Sequence, residues 1–347
     1  MDASADTVPG LDELEVLVLV DNETDTLSSV DEDVPQIPEM VHVAARRPPT
    51  RRVNGHQCKV VLDQLCCACH GLSLLLTARH QGGEHTVLFD VGPEAGVWRD
   101  NARRLEVDLS RIECVFLSHW HFDHSGALPG VVADIAAARA AAGLAPPLVD
   151  LHPDRPDQRG ILLPGGEMFL LPPEPAVQDI VAAGGDVVTR DQPHALGDGL
   201  FLASGAIPRV TDYETGLVGH HSFHGETCQA DPLILDERFI AARVQGRGVS
   251  VFSACSHAGI VNACLAAQQH FPDLPLDAVM GGYHLAGKPM EPRIEPTIRD
   301  LETRIAPRLV APGHCTGWRA KARLAETFAP GRYGPSVVGT MYRLAAL

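Results

Sequence analysis

The chain has 347 residues, 45% of them hydrophobic, and its 28 basic and 44 acidic side chains leave a formal net charge of −16. That length and apolar content suit a large core, and a single domain is expected over residues 1–347. The negative balance repels a phosphate backbone, and the short basic pieces at 45–52 and 319–323 read as solvated surface, so nucleic acid is not an expected partner.

In chain order, the acidic start MDASADTVPGLDELEVLVLV carries an apolar run too short for a signal-peptide core. No stretch approaches the ~20 apolar residues of a membrane span. With nine cysteines in a long chain lacking an export signal, the thiols are expected to stay reduced and the protein to be cytoplasmic. Short β-rich runs at 14–20, 71–79, 85–92 and 112–118 predict strands, and the adjacent glycines of HQGGEH predict a hairpin between the second and third. An alanine-rich helix is predicted after Gly130, stopping at Gly143. The proline-rich stretch 144–175 is expected to be irregular around one strand, PLVDLH. Beyond it, helical patterns at 174–185, 259–271, 294–305 and 316–328 alternate with strands at 199–205, 232–244, 248–256, 276–282 and 307–313. Strands first, then strands and helices in alternation, predict an α/β protein of layered sheets with helices outside.

The loop SHWHFDHSG, residues 118–126, concentrates metal-capable side chains. Imidazole and carboxylate suit zinc and its neighbours, and a catalytic site keeps a position open for water. In an extended loop alternate residues point the same way, so His119 and His121 can share one ion while Asp123 and His124 turn toward a second. Trp120 and Phe122 would face the core and anchor the loop.

HWHFDH resembles the His-x-His-x-Asp-His signature of the metallo-β-lactamase fold superfamily. LFDVG at 88–92 is similar to the strand and turn that precede that loop in the superfamily, which implies that Asp90 supports the loop from behind its ligands. APGHCTG at 311–317 resembles the superfamily's last metal histidine and implies His314 on the second ion. LVLVDNETD, HGLSLLL, SGAIPRVTDYE, DPLILDERFIAA, SACSHAGIVN and GGYHL resemble, in order, the subfamily of 7,8-dihydropterin-6-methyl-4-(β-D-ribofuranosyl)aminobenzene 5′-phosphate synthase. The resemblance implies a four-layer αβ/βα sandwich and an enzyme holding one or two zinc ions, with manganese or iron as substitutes. It implies hydrolysis or transfer on a small anionic or phosphorylated molecule, including a dihydropterin synthase-like reaction.

The superfamily's Pro-Gly-His-Thr and bridging Gly-Asp motifs are not present in those forms. One alignment gives His257 to the first ion and His284 to the bridging or second-ion place. Another puts Cys255 or His257 in the bridging place and leaves His284 lining the pocket. Asp123 and His119 are the expected catalytic pair, with Asp123 holding a nucleophilic water in line and returning a proton to the leaving group. An iron-bearing redox or non-catalytic protein on the same fold is the rival expectation.

Other segments carry weaker signals. LCCACHG at 65–71 lacks a separated thiol pair at structural-zinc spacing, so Cys66, Cys67 and Cys69 read as plain thiols, while His70 could approach the site. GLVGHHSFHGETC, with His220, His221 and His224, reads as a solvated loop or a lid. Arg209 would grip phosphate or carboxylate, or form a surface ion pair, and His152 would line a pocket or sit in a turn.

Overall fold

The computed structural model describes residues 8–347. In the strand Glu13–Val20, Leu14, Val16 and Val18 point into one buried cluster while Leu17 and Leu19 point into another. A strand apolar on both faces needs cover on both faces. It lies in an eight-stranded sheet with the order Asp186–Thr189, Leu148–Leu151, Ile112–Phe116, Gly83–Phe89, Ser73–His80, Glu13–Val20, Met341–Ala345, Gln36–Ile37. A six-stranded sheet faces it, ordered His194–Leu196, Phe201–Ala203, Ile240–Val244, Gly248–Ser253, Leu276–Gly282, Leu309–Gly313. Phe89 and Phe116 from one sheet meet Phe201, Ile240, Phe252 and Met280 from the other in the central core.

Each outer face is covered by helices. Ala95–Arg104, Leu128–Ala141 and Val177–Ala182 pack on the larger sheet, and Ile260–His270, Ile294–Asp300 and Trp318–Phe328 on the smaller one. The result is the four-layer αβ/βα sandwich of the metallo-β-lactamase type. Among the described residues no helix is long and apolar enough to cross a membrane.

The predicted hairpin forms, with Gln81 and Gly82 as its two turn residues at φ 49° and 81°. Positive φ at both positions matches the right-handed twist of the flanking strands, which explains a glycine there. The stretch 144–175 differs from expectation: besides Leu148–Leu151 it contains Gln158–Leu162 and Met168–Leu170. These pair with His220–His224 and Thr227–Ala230 in a four-stranded antiparallel sheet. The prolines at 146, 147, 153, 156, 164, 172, 173 and 175 all fall between strands, so they punctuate the sheet without interrupting it. The histidine-rich loop expected at 216–228 is therefore mostly a hairpin. The predicted strand 232–244 shortens to Ile240–Val244, because Asp236, Glu237 and Arg238 are consecutive, buried and directed at three different partners. The helix predicted at 294–305 is α-helical to Asp300 and then a π-helix over Leu301–Ile305 that stops at Ala306 in the left-handed conformation.

The topology explains where a site forms. Gly83–Phe89, Ile112–Phe116 and Leu148–Leu151 run parallel, as do Gly248–Ser253, Leu276–Gly282 and Leu309–Gly313. Asp90, His119, Cys255, His284 and His314 each lie just beyond the carboxyl end of one of these strands.

One loop support has a pH consequence. Glu214 accepts hydrogen bonds from the Val261 and Asn262 backbone N–H groups at 3.0 and 2.9 Å, capping the helix Ile260–His270. Burial pushes its carboxyl up to about 7 despite those donors. A raised folded-state value means that the proton is held more tightly in the fold. Its contribution is complete below the ordinary value of 4.5 and is lost as pH rises to about 7. The whole window is worth about 3 kcal/mol at most. Glu214→Gln should flatten the fall of melting temperature between pH 5 and 8 relative to the parent; equal slopes would refute this assignment.

Candidate metal centre

The loop after Ile112–Phe116 is held from behind by Asp90. Its Oδ1 accepts from the Ser118 N–H at 2.7 Å, and its Oδ2 accepts from Ser118 Oγ and contacts His124 Nδ1, both at 2.8 Å. Ser118 Oγ in turn meets His119 Nδ1 at 2.8 Å. Asp90 thus orients two imidazoles, leaving the Nε2 of each pointing forward. Trp120 is fully buried, its indole N–H donating to the His152 carbonyl at 3.0 Å, as an anchor should be. Phe122 departs from the expected alternation. The chain turns helical over Phe122–Ser125, so side-chain parity ends at His121 and Phe122 lines a cavity.

Two groups of ligand atoms result. His119 Nε2 lies 3.0 Å from His121 Nδ1, which lies 3.1 Å from His257 Nε2. Burial drives all three imidazoles well below their ordinary range, so they stand as neutral lone-pair donors. In the second group, Asp123 Oδ2 is 3.6 Å from His124 Nε2 and 3.2 Å from His314 Nε2. His314 Nε2 is buried without an aligned hydrogen bond. Burial opposes the charge on His124, but the Asp123 and Asp90 carboxylates outweigh it and lift the imidazole to about 9.

Cys255 stands between the groups. Its thiol is 3.1 Å from His124 Nε2, and it falls within one ligand cluster with Asp123, His124 and His314 and another with His119 and His257. His284, expected at the bridging or second-ion place, clusters instead with Cys255 and Cys315, its ring 4.3 Å from that of His257. Cys255 thus lies at the junction of the two groups, and His284 on the cavity wall. The donor set fits divalent cations: three buried neutral imidazoles, one carboxylate, and the His124 imidazole and a shared thiol, each with a proton that a cation would displace.

Several contributors carried no role in the sequence reading. Asn22 Oδ1 is 3.0 Å from His314 Nδ1 and accepts from the Gly71 N–H at 3.1 Å, so it fixes the last histidine. Asp21, fully buried, accepts from the His314 N–H at 2.9 Å. Glu237 accepts from the His257 and Ala258 N–H groups, each at 2.7 Å, and Asp236 accepts from Trp120 N–H at 2.7 Å. Charged residues inside the apolar run LILDERFIAA were the available signal: buried carboxylates need donors, and these find them in the ligand loops.

The remaining candidates also have definite places. His70 Nε2 lies 3.3 Å from Asp123 Oδ2. His220, in the small sheet, brings its Nε2 to 2.9 Å from His121 Nε2, whereas His221 and His224 do not line the cavity. Arg209 donates to the Leu233 carbonyl, away from the cavity wall. Among the described residues no candidate ligand cluster includes Cys66, Cys67 or Cys69.

The fold and this site are of the metallo-β-lactamase type. Residues 68–228, which contain the whole histidine loop, match the metallo-β-lactamase superfamily model. The chain is 27% identical to the 7,8-dihydropterin-6-methyl-4-(β-D-ribofuranosyl)-aminobenzene-5′-phosphate synthase of Methanocaldococcus jannaschii over 262 residues, 75% of this chain and 85% of that protein. A crystal structure of a metal-dependent hydrolase of the β-lactamase superfamily shares the fold, with a TM-score of 0.65 at 22% identity over 96% of this chain and 99% of that one. The metallo-β-lactamase fold protein YhfI from Bacillus subtilis is similar at a TM-score of 0.46 and 11% identity, covering 96% and 100%.

Proposed function

We infer that the protein is a metal-dependent hydrolase or transferase with two neighbouring cation positions, zinc being the first candidate. His119, His121 and His257 would hold one ion, Asp123, His124 and His314 the other, and Cys255 both. The observation that carries this is the placement of one thiol within reach of both ligand groups. Bound cations would supply Lewis acidity and a water acidified toward neutrality.

The chain's own residues do the rest. Asp123, with an oxygen open to the cavity, can accept a hydrogen bond from the attacking water and hold its line of approach. His70 meets the same carboxylate, whose hydrogen bond raises its basicity, and could pass the proton onward. The cavity of about 630 Å³ over the cluster has room for a small-molecule substrate. A reaction like that of the dihydropterin synthase is supported by the 27% identity, and its anionic group would sit at the cations. Nine free thiols favour a reducing cytoplasmic setting.

Protein purified with its native metal should contain one to two zinc, manganese or iron ions per chain. A folded, metal-free product from a metal-supplemented culture would overturn the reading. The second reading, an iron-bearing redox protein, draws on Cys315 lying beside Cys255. It requires iron with a visible spectrum that responds to reductant, which a zinc enzyme lacks.

A further inference from the structure

The cavity walls carry chemistry that the metal reading does not use. Above the ligand cluster they are apolar, with Phe122 from the metal loop, Ile161, Leu171 and Leu217 from the small sheet and its flanks, and Trp318 from the start of the last helix. Among the described residues lining the cavity there is no lysine or arginine. Its only carboxylates are Asp123 and Glu23, the latter 3.1 Å from Lys321 Nζ. Beyond the cations and the Asn22, His70, His220 and His284 side chains beside them, an anionic group would therefore meet oil or a carboxylate, and no lysine or arginine.

The apolar lining continues outside. Phe169 pairs with Ile161, and Ile161 with His220, across three adjacent antiparallel strands. Directly opposed residues share a sheet face, so the face that presents Ile161 and His220 to the cavity also carries Phe169, which is 55% exposed. At the mouth Trp318 is 71% exposed. Two large aromatic side chains open to water, both continuous with a pocket, have an unused binding surface.

We propose that the substrate of this site has a single anionic or carbonyl head and an uncharged, ring-bearing body lying against Phe122, Leu171 and Ile161 and reaching Phe169 and Trp318. The cations alone receive the head, so this rests on the metal reading above. Ile161 belongs both to the cavity and to the Phe169 row, which fits one small molecule better than a separate protein contact. The site thereby discriminates against substrates with a second charge at the far end.

The test uses the full zinc-loaded chain and calorimetric titration with acetohydroxamate, benzohydroxamate, 2-naphthohydroxamate and benzohydroxamate bearing a para-phosphonate. Affinity should rise about tenfold or more with each ring added, and the phosphonate should abolish the gain. Phe169→Ser, a change at an exposed position, should lower the naphthyl-to-acetyl affinity ratio about tenfold while acetohydroxamate binding and metal content stay at the parent's values. A flat series with full metal content, or tightest binding by the phosphonate, overturns the apolar-body proposal and leaves the metal reading intact. The same series on chelator-treated protein reports the converse. Equal acetohydroxamate binding with and without zinc sinks the metal reading, and a surviving size gradient that depends on Phe169 keeps the apolar body.

Discussion

Asp123→Asn is expected to lower turnover by about 10²- to 10⁴-fold on any substrate that the metal-loaded parent processes, with the melting temperature of the metal-free protein little changed. The amide has the same shape, so packing survives, but the negative charge is gone. That charge is opposed by burial and sustained by His124, His314 and His70, which together keep the carboxyl ionised well below its ordinary range. Asparagine would leave the second ligand group without its carboxylate and the attacking water without its acceptor. His119→Ala should be as damaging through the first group, since it empties a position that Ser118 and Asp90 hold in place. Steady-state rates, metal content and thermal melts on the same preparations decide the matter, and a rate equal to the parent's in either variant would exclude the mechanism.

The second large effect separates the two ligand alignments. If Cys255 serves both ions, Cys255→Ser should reduce bound metal by about one ion per chain and turnover by about 10²-fold, because a hydroxyl is a far poorer anionic ligand than a thiolate. His284→Ala should leave metal content unchanged and act, if at all, on substrate affinity. The opposite pattern, with metal lost in His284→Ala and retained in Cys255→Ser, would restore His284 to the bridging place. Elemental analysis after gel filtration gives the count directly.

The candidate site was legible where the candidate ligands are close in sequence. Four of them fall within His119–His124, and the strand before and helix after that loop could be read from apolar runs. His257 and His314 were legible through short glycine-bearing motifs at strand ends. Cys255 was harder, because a small residue after a buried strand looks the same whether it packs or ligates; only the approach of His119, His124 and His314 from other elements distinguishes it. Asn22 acts across 292 positions of sequence, on His314, and no local spacing could reveal that. In the fold, periodicity found the strands buried on both faces. It missed the small sheet, where short polar strands between prolines have no strong alternation, and it overextended the strand before Ile240, where the apolar count outweighed three adjacent charges.

The two ligand groups draw on both halves of the sandwich. His119, His121, Asp123 and His124 follow a strand of the larger sheet, while Cys255, His257 and His314 follow strands of the smaller one. Ions held there would rivet the open rim of the two β-layers, so cofactor loading and resistance to unfolding would be a single linked equilibrium. A chelator would then do more than silence the enzyme: it would unfasten the seam along which the halves meet.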